Sequence, residues 1–154
     1  MTQLPQHICV RLLAEIAREL RPIISEFADG DTLDNIDQSI SQARAAVDGD
    51  LPNTNLGERS TTATQLTGKL ELLSQGLFLD DTDRESPLGR LAPDQLMLVR
   101  DVADIAARSL RAATGDESKA NAEYKEGLSW AFSMVGRLGD DTLQSRIQSL
   151  VDRG

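Results

Sequence analysis

Apolar residues recur three and four positions apart along most of the chain, the spacing of one face of an α-helix, and no stretch reads as a strand. The pattern is strongest between Pro93 and Leu138. There, Leu96, Val99, Ala103, Ala106 and Leu110 form one stripe and Leu98, Val102 and Ile105 an adjacent one, so neighbours must cover more than a narrow face. Pro93 and Asp94 suit a helix start, and Gly115 lies where a helix C-terminus favours glycine. A second arm follows, with Tyr124, Leu128, Ala131, Val135 and Leu138 at helical spacing. The pattern predicts a helical hairpin over about 93–138, with its first arm as the central helix.

Around this hairpin the chain predicts an all-α, single-domain antiparallel bundle of five or six helices spanning 1–154. A first helix runs from about Pro5 to Phe27 on Ile8, Leu12, Ile16, Leu20 and Ile23, with Pro22 expected to kink or divide it at Arg21. A second carries Leu33, Ile36, Ile40, Ala43 and Val47. Turn formers mark surface loops over about 48–60 and 80–92. Between them, Thr62-Ala-Thr-Gln65 matches a capping box, and Leu66, Leu70, Leu73 and Leu77 predict a third helix ending near Leu79. Gly68 and Gly76 fall inside that span, which calls for a close helix crossing or a frayed end. Asp141-Thr-Leu-Gln144 resembles another cap, opening a short closing helix on Leu143, Ile147, Leu150 and Val151.

Charge narrows the functional classes. The chain has 16 basic and 25 acidic residues, a formal net charge of −9, which opposes direct binding to nucleic acid or to an anionic membrane surface. No apolar run approaches the roughly 18 residues needed to cross a bilayer, and charges interrupt the N-terminal segment where a secretion signal would be continuous, so a cytoplasmic location is expected. The region from Asp29 to Glu58 holds seven acidic residues against Arg44 alone. Asp31, Asp34 and Asp37 lie in its first helical turns, where they either complement the helix dipole or form an acidic contact patch. Arg18 and Arg21 read as surface residues, with an anion site as the alternative.

The residues for familiar chemistry are missing. With His7 as the one histidine and Cys9 as the one cysteine, neither a zinc site nor paired Glu-x-x-His metal ligands can be assembled within the chain. Nucleophilic catalysis would have to recruit His7, next to the N-terminus. Cys9 reads as a small apolar residue on a buried face. Neither phosphate-binding glycine motif occurs, nor does a complete calcium loop, although the acidic stretches from Asp29 and Asp80 invite one. No cofactor is expected. Among the carboxylates, Asp101 and Asp104 on the central helix come nearest to a desolvated position, but Asp104 spaced by four from Arg100 and Arg108 suits surface ion pairs.

Trp130 and Met134 point away from the second arm's main stripe, to pack a further layer or to stand exposed as an interface anchor. The leading reading is therefore a non-enzymatic interaction or regulatory protein presenting an acidic helical surface. Asp31, Asp34, Asp37, Trp130 and Met134 are its candidate contacts, and a basic protein its expected partner. The alternative is a helical bundle that binds a small ligand or performs carboxylate-dependent chemistry in a cleft. Self-association through the two-sided central helix is a third arrangement the pattern allows.

Overall fold

A computed structural model describes residues 3–49, 56–77 and 85–153. Within them the chain forms six α-helices: α1 (Gln6–Ile24), α2 (Gly30–Asp48), α3 (Leu56–Ser74), α4 (Pro93–Thr114), α5 (Glu117–Leu138) and α6 (Asp141–Arg153), with a short 3-10 turn at Leu88–Arg90. The all-α bundle is as the periodicity predicts. No helix among the described residues is long and apolar enough to cross a membrane.

Helix α4 is the axis. It packs on α3, α2, α1 and α5, and those four follow one another around it, with α2 against both α3 and α1, and α1 against α5. Its predicted stripes are largely consumed within the chain: Leu96, Val99, Val102, Ala103, Ile105, Ala106 and Leu110 are buried, and Leu98 is half-buried against the core. Helix α6 closes the bundle against α1 and α5. The hairpin turn is short because Asp116 caps α5 at once, its carboxylate accepting from the Lys119 N–H at 2.8 Å. Asn121 fastens the N-terminal segment, accepting from the Leu4 N–H and donating to the Leu4 carbonyl, both at 2.9 Å.

Several boundaries differ from the sequence expectation. Pro22 sits in the last turn of α1, which ends at Ile24 instead of dividing at Arg21; the bond the Arg18 carbonyl would accept is lost where the helix is about to stop. Helix α3 begins at Leu56, six residues before the expected cap, so the predicted loop over 48–60 is helical in its last part. The cause is burial: Leu56, Ser60 and Ala63 continue the buried line of Leu70 and Leu73 backwards, and the Thr62 hydroxyl donates to the Glu58 carbonyl inside the helix rather than capping it. At the other end Gly76, at φ +77°, stops the helix instead of lying within it, with the Leu77 N–H returning to the Leu72 carbonyl. The expected extension to Leu79 and the acidic stretch from Asp80 to Asp83 lie outside the described residues. In α6 the cap is Asp140, which accepts from the Leu143 N–H at 3.0 Å, one residue before the predicted position.

Gly68 is not a helix crossing. It is exposed, and a Cβ placed on it meets nothing within 4 Å. Gly68→Ala should therefore stabilise the protein by about 1 kcal/mol through helix propensity, read as a melting temperature about 2–4 °C higher. A lower melting temperature would mean that this face is covered.

Candidate functional site

Around α4, one interval is left without close packing, the one between α5 and α3. Five polar residues of α4 fall in it. Arg100, Asp101, Asp104, Arg108 and Arg111 occupy a sector of about 100° at the α-helical rotation per residue, and the flanking helices supply partners to match. One cluster centres on Asp101, which is 1% exposed. Its Oδ1 accepts from Arg100 at 2.9 and 3.2 Å, and its Oδ2 accepts from Arg137 of α5. Arg100 also donates to Glu71 of α3, and its guanidinium lies 4.9 Å from the ring centroid of Trp130 on α5, within range of a cation–π contact. Three helices thus meet through one guanidinium.

The second cluster lies two turns along α4. Asp104 accepts from Arg108 at 2.7 Å, and Glu123 of α5 accepts from Arg111 at 2.8 Å, with Arg108 3.6 Å from the same carboxylate. Arg111 donates to the Thr64 hydroxyl of α3 at 2.9 Å. The expected Asp104–Arg108 pair forms, whereas Arg100 turns to Asp101 and Glu71, so Asp101 is not a surface residue. A signal for this was present: Asp101 stands three residues after Leu98 and four before Ile105, on an apolar stripe.

Burial pushes the Asp101 carboxyl above the usual carboxylate range, and the Arg100 and Arg137 guanidinia pull it back without cancelling the shift. Burial alone would weaken the Arg100 cation, but Asp101 and Glu71 more than reverse this and raise it. A raised carboxyl pKa means that the folded protein holds the Asp101 proton more tightly than the unfolded chain. As pH climbs past the unfolded value of about 3.9 towards the folded one, the unfolded chain ionises first, and wild type loses stability relative to Asp101→Asn. Denaturant unfolding of both proteins at stepped pH should show that relative loss above about pH 4; a relative gain with rising pH would contradict it.

This centre has one property of a tuned acid, its burial, but both its oxygens are engaged by arginine. Of five grooves formed by described residues, none is lined by Asp101. Among the described residues no group of three His, Cys, Asp or Glu side chains is placed to hold a metal ion. No protein family, curated protein or solved structure matches the chain.

The five predicted contact residues separate. Met134 is completely buried and belongs to the core, so it cannot anchor a partner: the buried line of α5 runs through Ala120, Gly127, Ala131, Met134 and Val135, rotated from the predicted stripe. Leu138, expected in that stripe, is 39% exposed. Trp130 is half-buried beneath Arg100. Asp37 is held by Arg21 of α1 through two bonds of 2.5 and 2.9 Å. Asp31 and Asp34 are exposed and make no ion pair among the described residues. His7 is exposed at the start of α1, and Cys9 is fully buried, where burial first and Glu117 second raise its thiol pKa and keep it protonated.

Proposed function

We propose that the protein is a non-enzymatic binding protein, and that the N-terminal end of α2 receives a basic segment of a protein partner. The observation that carries this reading is an imbalance of pairing. Glu71, Asp101, Asp104 and Glu123 are each matched by an arginine, whereas Asp31 and Asp34 are exposed without one among the described residues. Dipole stabilisation accounts for Asp31 in the first turn but fades beyond it, and Asp34 lies in the second. Asp29 adds to the imbalance. It precedes the helix without capping it, and its Oδ1 is buried with no hydrogen-bond partner among the described residues, in a groove that Asp31 also lines. A lysine or arginine from a partner would supply the missing donor.

The face is narrower than the sequence suggests, because Asp37 belongs to Arg21 and Met134 to the core. The competing reading, carboxylate chemistry in a cleft, draws support from the burial of Asp101, but none of the five grooves described above is lined by it. The test is capture of partners from the protein's own cell lysate at low and moderate salt, with wild type and Asp31→Ala/Asp34→Ala compared. A stoichiometric basic protein, retained by wild type and lost by the variant, supports the reading. Equal retention by both refutes this face, and co-purification of a small molecule in place of a protein would redirect attention to the grooves.

A further inference from the structure

The groove between α1 and α2 is built differently from the acidic end of α2 beside it. The two helices are antiparallel and joined by ion pairs in register: Arg44 lies 3.1 Å from the Glu15 carboxylate, and Asp37 accepts from Arg21. Between these rungs, three residues on from Glu15 and three back from Arg44, Arg18 and Ser41 share the groove lining. This rung is incomplete. Arg18 makes no ion pair among the described residues, and the Ser41 hydroxyl makes no hydrogen bond among them, although both are exposed and polar. Arg18, Arg21 and Arg44 therefore line one open groove together with Ser41, with a volume of about 480 Å³.

We propose that this groove binds a small doubly charged oxyanion, inorganic phosphate or a small phosphomonoester, with Arg18 as its principal ligand and the Ser41 hydroxyl as a second donor. Each guanidinium has five N–H donors. Arg21 directs two at Asp37, and Arg44 is ion-paired with Glu15, so both keep donors for a further acceptor. Arg18 spends none of its own on an ion pair among the described residues. A carboxylate would satisfy Arg18 alone, whereas the three outer oxygens of a phosphoryl group can be shared between several guanidinia and a hydroxyl. Asp37 and Asp48 also line the groove and set its limit: Asp37 is neutralised by Arg21, and Asp48 lies towards the end of α2.

The test uses the full-length protein with isotope-labelled arginine side chains, titrated with inorganic phosphate at constant ionic strength and at a pH where the dianion prevails. Saturable shifts confined to the Nε–H signals of Arg18, Arg21 and Arg44 and to the Ser41 amide are expected. Arg18→Gln should weaken the binding about tenfold, as expected for loss of one charge-assisted contact of about 1.5 kcal/mol. Ser41→Asp fills the rung from within and should abolish binding while leaving the melting temperature unchanged or raised, so loss of binding is separable from loss of fold. Glycerol phosphate distinguishes the two sources, tighter binding than phosphate assigning an ester and equal or weaker binding the free ion. Shifts reproduced by chloride, spread over all surface arginines or unchanged in Arg18→Gln would overturn the proposal.

Discussion

Asp101→Ala should destabilise the protein by about 2–3 kcal/mol, because the cavity it leaves is lined by arginine N–H groups that no longer have an acceptor. The magnitude is bounded from both sides. Arg100 keeps Glu71 and the Trp130 ring, and the Arg137 side chain is 39% exposed and can turn to water, so neither becomes a fully isolated buried charge. Yet Asp101 is at the junction of α3, α4 and α5, where it accepts from both Arg100 and Arg137. Asp101→Asn should cost less than half as much, since burial already penalises the ionised form and the amide oxygen still accepts one bond. The check is denaturant unfolding of the three proteins near neutral pH. If Asn proved as damaging as Ala, the charge itself would be the stabilising feature, against the raised carboxyl pKa.

A second large effect is expected at Gly127, where α5 meets Leu13 of α1 and Arg108 of α4. A Cβ added at Gly127 would lie 2.5 Å from Leu13 Cδ2 and 3.3 Å from Arg108 Cδ, and Leu13 is fully buried, with little room to withdraw. Gly127→Ala should cost about 1–3 kcal/mol from overpacking, even though alanine is the better helix former. Leu13→Ala should cost about 2–5 kcal/mol through the cavity it opens. The two changes relieve each other, because the new methyl group occupies space that Leu13 vacates. The double variant should be more stable than the sum of the single losses by at least about 1 kcal/mol. Strict additivity would place Gly127 away from Leu13 and refute the packing described for this corner.

How far the sequence anticipates these sites depends on how local their causes are. The hairpin over 93–138 was legible because a proline-led start, a glycine break and two long apolar stripes all act within a few residues of one another. The start of α3 was not, because Thr62-Ala-Thr-Gln65 fits a cap locally and only the burial of Leu56, Ser60 and Ala63 against other helices overrides it. Which of its two open placements Met134 takes is settled by the same kind of tertiary cause. A wheel drawn on Tyr124, Leu128 and Leu138 turns α5 away from the face that its neighbours bury.

The polar sites show the limit more sharply. That Asp101 lies on an apolar stripe can be read from Leu98 and Ile105, but that Arg137 and Glu71 reach its neighbourhood depends on how α5 and α3 are set against α4. Likewise Arg18 looks like any surface arginine until the register of α1 against α2 places Glu15 with Arg44 and Asp37 with Arg21, leaving Arg18 over. The acidic stretch was visible as composition. Which of its carboxylates stand free was not, because Arg21 lies ten residues before Asp31 in sequence and yet captures Asp37 in space.

The binding reading is tested most directly by the rate at which the protein associates with its captured partner, measured by stopped flow across a series of ionic strengths. If the exposed carboxylates of α2 steer the encounter, the wild-type rate constant should fall by about tenfold or more from low to physiological salt, and Asp31→Ala/Asp34→Ala should show a slower rate with a much flatter dependence. A rate indifferent to salt, with the variant responding as wild type does, would contradict an acidic docking surface at this end of α2.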